Sequence, residues 1–147
     1  MIIKSFEAKK AKFSNFKLIL LYGNNKGFKE EVLKSMILKG FLGEITRYEE
    51  AEVLDNKETL FESFANKSLF DDEKIIIISR SSNKLVNFIE DFIEKNLARV
   101  QIILNADNLD KKSKLRTLFE KDKNLVCITF YEDNFQDLNI LAKKFVN

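Results

Sequence analysis

The chain has 147 residues, a length that suits one domain, and 45% of them are hydrophobic, which is enough for a substantial core. The formal net charge of +2 is too small to indicate nucleic-acid binding by itself. There is no histidine, the commonest general base and metal ligand, and the single cysteine, Cys127, excludes an intrachain disulfide. Cys127 lies within an apolar run, so we expect a buried, inert thiol.

No apolar run approaches the ~20 residues that cross a bilayer, and the first residues lack a signal-peptide pattern. We therefore expect a cytoplasmic protein without membrane contact.

The first half of the chain alternates between strand and helix signals. Residues 16–22 are mostly apolar and end at Gly23, which predicts a strand buried on both faces. Residues 44–48 predict a second, shorter strand. A helix is predicted between them, because apolar residues recur at three- and four-residue spacing: Phe28, Val32, Leu33, Met36 and Ile37. Asp55 is then predicted to be the N-cap of a helix whose inner face carries Leu60, Phe61, Phe64 and Ala65.

The second half continues this alternation with three further strands. Residues 74–79 include four consecutive isoleucines, and β-branched residues in a row favour a fully covered central strand. Residues 100–104 and 125–130 predict two more strands. Helices are predicted between and after these strands, at 83–96, around 115–119 and at 133–146. The alternation predicts one α/β domain over 1–147, with a parallel five-stranded sheet as the middle of three layers. Because the last helix ends the chain, we expect this domain to be a fragment of a longer protein.

The first predicted strand ends where a phosphate-binding loop would lie. Such a loop has the pattern G-x-x-x-x-G-K-[ST], because backbone N–H groups wrap the phosphates, the lysine reaches the outer ones and the hydroxyl holds Mg²⁺. Here Gly27 comes one residue too early after Gly23. Lys29 does not follow that glycine directly, and Glu30 stands where the hydroxyl is needed. We therefore predict a degenerate phosphate loop that holds no nucleotide, and we expect no other cofactor and no metal.

The ends of the other strands offer little catalytic chemistry. A nucleotide hydrolase needs a carboxylate at the end of its central strand to organise Mg²⁺ and water, and the segment Ser79-Arg80-Ser81 has none. A receiver-like signalling domain would need acidic residues after the first strand, where this chain has Gly23 and Asn24. The sequence thus favours a non-catalytic domain.

A short basic cluster precedes the helix around Leu115. It consists of four cations: Lys111, Lys112, Lys114 and Arg116. These side chains are candidate contacts for the phosphates of DNA. They equally suit a solvated helix face, because acidic residues such as Glu120 and Asp122 lie close by in the sequence.

Two large apolar residues stand out in the segment that joins the second predicted helix to the isoleucine strand. Leu69 and Phe70 follow Ser68 and come directly before three acidic residues, Asp71, Asp72 and Glu73. The two apolar side chains either fold back into the core or form an exposed wedge for a pocket on a partner. Their spacing alone favours the core.

Three segments, taken in their order along the chain, carry a resemblance to a known family. They are Leu20-Leu21-Tyr22-Gly23 with its degenerate loop, Lys67-Ser68-Leu69-Phe70 followed by Lys74-Ile75-Ile76-Ile77-Ile78, and Ile102-Ile103-Leu104-Asn105 followed by Lys112-Ser113-Lys114-Leu115. This ordered set resembles the N-terminal domain of the δ subunit of bacterial DNA polymerase III, the subunit of the clamp loader that opens the sliding clamp. The resemblance covers essentially the whole chain.

The resemblance implies an AAA+-like domain of the P-loop NTPase type, with sheet order 5-1-4-3-2 and no ATPase activity of its own. It also implies that Ser68, Leu69 and Phe70 form the clamp-binding motif, whose apolar side chains insert into a hydrophobic pocket and open the ring. Implied partners are the sliding clamp and, through a C-terminal region beyond these residues, the other loader subunits. Direct DNA contact is expected to be weak. A P-loop NTPase with an atypical loop and a receiver-like signalling domain remain as alternatives.

Overall fold

Six parallel strands form one sheet in the computed structural model of the chain, which describes residues 1–4, 13, 16–69 and 73–131. The strands are β1 (Ile2–Lys4), β2 (Leu18–Tyr22), β3 (Glu44–Glu49), β4 (Lys74–Ser79), β5 (Val100–Asn105) and β6 (Leu125–Thr129). They lie in the order β1-β6-β2-β5-β4-β3, and every pairing is parallel. The five predicted strands and their parallel arrangement are confirmed. The predicted strand number is wrong by one, because β1 adds an edge strand beside β6.

Helices cover both faces of this sheet. They are α1 (Lys26–Val32), which continues as a π-helical turn (Leu33–Ile37), α2 (Glu50–Asp55), α3 (Lys57–Leu69), a 3₁₀ turn (Asn83–Leu85) that leads into α4 (Val86–Lys95), and α5 (Lys114–Lys121). The helix predicted at 133–146 lies outside the described residues. Among the described helices, none has the length and apolar character needed to cross a membrane.

The central strands are apolar along their whole length because each buries side chains on both faces. On β2, Leu18, Leu20 and Tyr22 face one core, while Ile19 and Leu21 face the other. The first core packs the sheet against α3, α4 and α5, with the rings of Phe61 and Phe88 stacked at 4.9 Å. The second core packs it against α1, with Phe28 edge-on to Phe130 at 5.3 Å. The prediction of a three-layer α/β domain is therefore confirmed for the described residues.

The structure around Asp55 differs from the prediction of a helix that begins there. Asp55 is the last residue of α2, so its assignment as a helix N-cap is wrong. The cap that does form is at Glu49, whose side chain accepts from the backbone of Glu52 while the Glu52 carboxylate accepts from the Glu49 N–H at 3.1 Å. This reciprocal cap begins α2 directly at the end of β3.

Hydrogen bonds from the terminal ammonium hold β1 at the edge of the sheet. The nitrogen of Met1 donates to the carbonyl oxygens of Phe119, Asp122 and Leu125, at 2.6, 2.9 and 2.7 Å. Two of these carbonyls lie at the end of α5, where a positive charge is favourable to the helix dipole. Residues 2–4 are thereby brought beside β6.

Candidate functional site

The loop after β2 lies at the carboxyl edge of the sheet, where parallel α/β domains usually bind ligands. Gly23 leaves the strand with a φ of +125°, and a Cβ added there would overlap the carbonyl oxygen of Phe130. Its N–H donates to the carbonyl oxygen of Asp107 at 2.6 Å. Gly23 is required here because three backbone segments meet with no room for a side chain. The contacts of Gly23 thus hold the end of β2 against the segments that follow β5 and β6.

Several backbone N–H groups of this loop donate to acceptors within the protein. A phosphate cradle needs several such groups aimed at one anion. Four more of them donate to acceptors of the chain itself: Asn25 to the carbonyl of Phe130 at 2.9 Å, Lys26 to the carbonyl of Asn24 at 3.1 Å, Phe28 to Oδ1 of Asn25 at 3.2 Å, and Lys29 to the carbonyl of Asn25 at 3.1 Å. Gly27 is exposed, and a Cβ added there would come no closer than 4.0 Å to Oδ1 of Asn25. The loop begins α1 with an asparagine cap in place of an anion.

Lys29 points into the protein. Only 2% of the residue is exposed, and its Nζ donates to the carbonyl oxygen of Ala106 at 2.7 Å, with Oδ1 of Asp107 at 4.0 Å. Burial lowers the pKa of the Lys29 ammonium, and the nearby Asp107 carboxylate partly offsets this effect. The ammonium therefore links α1 to the end of β5. In this position the ammonium is bonded to the backbone of the protein itself.

The end of β4 has no carboxylate in the strand, as the sequence indicates. Ser81 is buried; its hydroxyl donates to the carbonyl of Ile78 at 2.9 Å and its N–H donates to the carbonyl of Asn105 at 3.1 Å. An acidic side chain does reach this edge from the start of α2. Oε1 of Glu50 accepts from the N–H and the hydroxyl of Ser82, at 2.8 and 2.7 Å. Sequence reasoning missed Glu50, since it lies 32 residues from the serine that it contacts.

The Glu50 carboxylate is a structural group in this arrangement, because it accepts two hydrogen bonds that fix the loop after β4. Within residues 1–4, 13, 16–69 and 73–131, no three histidine, cysteine or acidic side chains come close enough to hold a metal ion. Cys127 is confirmed as buried, and burial raises the pKa of its thiol to about 11. These groups offer no assembled nucleophile and base.

The four residues of the predicted basic cluster separate into two kinds. Lys111, Lys112 and Lys114 are exposed around the start of α5. Arg116 is half-buried: its Nε donates to Oε1 of Glu120 at 2.6 Å and its Nη1 donates to the carbonyl of Leu109 at 3.0 Å. The hydrogen bond to Glu120 raises the pKa of Arg116, and the guanidinium lies 5.2 Å from the centre of the Tyr22 ring. Only the three lysines remain available to a phosphate.

A fourth exposed lysine joins this surface through contacts between two loops. Oδ1 of Asn83 accepts from the hydroxyl of Ser113 at 2.6 Å and from the N–H of Leu115 at 3.1 Å. The start of α5 therefore lies against the turn before α4, where Lys84 is exposed. Sequence reasoning missed Lys84, and no local signal could have found it, because the hydrogen bonds join residues about 30 positions apart.

Of the three predicted clamp-binding residues, Ser68 and Leu69 lie at the other edge of the sheet. Helix α3 continues through Ser68 and ends at Leu69, so both belong to its last turn and not to a loop. Phe70 lies outside the described residues. Earlier in α3, Leu60, Phe61 and Phe64 are buried in the first core and fix the helix to the sheet. The structure thus brings the backbone of Ser68 and Leu69 to the end of a firmly packed helix.

Fold and site together define a parallel α/β domain whose loop after β2 is bonded internally. Compared with known protein families and with curated proteins, the chain matches neither a family nor a curated protein. The function is therefore inferred from the residues and from their geometry.

Proposed function

We propose that this domain is a non-ATPase clamp-loader domain that binds the DNA sliding clamp and opens it for loading onto primed DNA. The observation that carries the proposal is the loop after β2, which has the position of a phosphate loop but is closed by the protein itself. Lys29 donates to Ala106, and five loop N–H groups have acceptors within the chain. We propose that a domain of this kind acts by binding a partner and not by hydrolysing a nucleotide.

The strand order also supports the proposal. Without the edge strand β1, the sheet has the order β6-β2-β5-β4-β3. Counted along the five predicted strands, this is the order 5-1-4-3-2 that the resemblance to the δ subunit implies. Parallel sheets have several common orders, so this agreement favours an AAA+-like domain over a receiver-like one, whose usual order is 2-1-3-4-5.

The clamp-binding motif is proposed to be Ser68, Leu69 and Phe70. A wedge must be held rigidly to insert into a pocket, and the buried face of α3 provides such support. Insertion of one leucine and one phenylalanine would contribute about 1.5–3 kcal/mol each, from which the costs of association are subtracted. The exposed Glu73 and the neighbouring Asp71 and Asp72 would then lie at the rim and act mainly on the association rate.

The test is a binding experiment with the sliding clamp of the same organism and the double variant Leu69→Ala with Phe70→Ala. If the pair is an exposed wedge, clamp binding falls at least a hundredfold while the melting temperature stays within about 2 °C. A double variant that loses several kcal/mol of stability would place the pair in the core. A double variant that binds the clamp normally would refute the motif.

A P-loop NTPase with an atypical loop is the competing function, and one titration separates the two. Isothermal titration with Mg·ATP is expected to give no heat of binding at micromolar concentrations, because Lys29 and the loop N–H groups already have protein partners. Micromolar affinity for Mg·ATP would overturn the non-ATPase assignment.

A further inference from the structure

The outer side of β3 is an open strand edge. β3 is the last strand in the sheet order, and among the described residues it pairs only with β4. The N–H of Glu44 points to the β4 side, where it donates to the carbonyl oxygen of Glu73 at 3.1 Å. The N–H and C=O groups of one strand residue point to the same side, and successive residues alternate. The groups that point outward therefore belong to Ile45, Arg47 and Glu49.

This edge has few of the features that normally prevent strand addition. Such edges are usually very short, contain proline or lysine, carry a bulge or are covered by another element. β3 is six residues long, its register with β4 runs without a bulge, and the chain has no proline. Ile45 is 41% exposed, although its register partner Ile75 is buried in the second core. The cover of that core thus ends before it reaches Ile45.

We propose that the outer edge of β3 binds an extended acidic peptide segment of a partner protein, which adds a strand to the sheet. Ile45 and Arg47 are successive outward residues, and their side chains lie on the same face of the sheet. Arg47 is exposed, and the described contacts give its guanidinium no acidic partner. A segment with an apolar residue opposite Ile45 and an acidic residue opposite Arg47 forms two favourable cross-strand pairs.

The same charge disfavours a second copy of this chain as the added strand. The N–H of Glu49 donates to the Glu52 carboxylate at 3.1 Å, so the open backbone groups are those of Ile45 and Arg47. An antiparallel pairing of two copies that uses both of these residues places each isoleucine opposite an arginine. The two guanidinium groups then become diagonal neighbours of like charge on one face of the sheet. Arg47 thus opposes self-association and favours an acidic segment.

The test titrates the ¹⁵N-labelled full chain with two synthetic peptides and follows the amide chemical shifts. The first peptide, with blocked ends, is Thr-Thr-Glu-Thr-Val-Thr-Thr, and the second has lysine in place of glutamate. In the antiparallel direction, which is slightly more stable per residue, the glutamate lies opposite Arg47 and the valine opposite Ile45. The shifts should be largest at the outward amides of Ile45 and Arg47. The glutamate peptide should bind at least fivefold more tightly than the lysine peptide.

Three variants locate the binding. Arg47→Glu should reverse the preference, so that the lysine peptide binds more tightly. Lys123→Glu makes the same change in net charge in the loop before β6, which three strands separate from β3, and should leave the preference unchanged. Ile45→Pro removes an outward N–H that β4 does not use, a place where an edge strand tolerates proline. This variant should lose binding of the glutamate peptide while it keeps the sheet.

Several results would overturn the proposal. They are no binding of the glutamate peptide, equal affinity for the two peptides, or a reversal by Lys123→Glu as large as that by Arg47→Glu. Sedimentation of the unmodified chain checks the other occupant. A dimer that Ile45→Pro dissociates would assign the edge to a second copy and contradict the proposal. If Ile45→Pro does not fold, the reversal by Arg47→Glu decides alone.

Discussion

The ammonium of Lys29 and the carbonyl oxygen of Ala106 form a 2.7 Å hydrogen bond across the carboxyl edge of the sheet. A lysine in the helix after the first long strand would face the nucleotide in a working phosphate loop. In this protein it joins α1 to the turn after β5. The same turn accepts the N–H of Gly23, so both ends of the loop are bonded to it. The loop thus contributes to the stability of the domain.

Replacement of Lys29 is therefore expected to lower the free energy of unfolding. Lys29→Ala leaves the Ala106 carbonyl without its donor and opens a cavity, which together cost about 2–4 kcal/mol. Lys29→Met fills most of the volume and costs about 1–2 kcal/mol for the unpaired carbonyl. Urea unfolding measures both values. The exposed Lys26, one turn earlier, provides the control Lys26→Ala, which should stay within about 0.5 kcal/mol of the unmodified protein. A Lys29→Ala protein as stable as this control would contradict the structural role.

Gly23 and Gly40 offer a second pair of matched substitutions. Both have positive φ, but a Cβ at Gly23 would overlap the carbonyl of Phe130, whereas nothing lies within 4 Å of one at Gly40. Gly23→Ala should cost about 3–5 kcal/mol from backbone strain and overlap together. Gly40→Ala should cost only the strain, about 1–2 kcal/mol. Equal losses in thermal or urea unfolding would mean that the backbone at Gly23 can move away from Phe130.

The strands of this fold could be predicted to within two residues because long apolar runs bounded by polar residues leave few alternatives. β1 could not, since three residues carry no periodicity and its position depends on β6 and on hydrogen bonds from the Met1 ammonium. α2 was missed for a related reason. Its cap at Glu49 directly follows the strand, so no turn signal separates the two elements.

At the candidate site, features set by neighbouring residues could be predicted, whereas contacts between residues far apart in the chain could not. The spacing of Gly23 and Gly27 indicated from sequence alone that the loop is not a standard phosphate loop. The direction of the Lys29 side chain was not predictable, because its partner Ala106 lies 77 residues away. Arg116 was grouped with the lysines because they are neighbours in the chain. Its bonds to Glu120 and Leu109 separate it from them in space.

The Cys127 thiol provides a probe of stability at alkaline pH. Burial raises its pKa from 9.0 to about 11, so the folded protein retains the thiol proton in a range where the unfolded chain releases it. The contribution of the buried neutral thiol to the free energy of unfolding is fully present below pH 9. It is lost as the pH rises towards 11. Urea unfolding from pH 8 to 11 should show a steeper loss for the unmodified protein than for Cys127→Ala. Parallel curves for the two proteins would contradict the raised pKa.

The surface formed by Lys84, Lys111, Lys112 and Lys114 is the remaining candidate for DNA contact, and Arg116 provides the internal comparison. Replacing the four exposed lysines with alanine should weaken binding to a primed DNA duplex, because each phosphate contact contributes about 0.9 to the slope of log affinity against log salt concentration. The melting temperature of this variant should change little, since the described contacts give these side chains no structural role.

Arg116→Ala should behave in the opposite way. It removes the guanidinium donor from Glu120 and from the Leu109 carbonyl and the cation from the Tyr22 ring, which together cost about 1–3 kcal/mol of stability. Its effect on the salt slope should be small, because the guanidinium is bonded within the protein. Fluorescence anisotropy at 50 and 200 mM salt, with thermal unfolding of the same samples, gives both quantities. A four-lysine variant with an unchanged slope would exclude this surface from DNA binding. An Arg116→Ala protein of full stability and reduced slope would show that the arginine leaves its internal partners to contact phosphate.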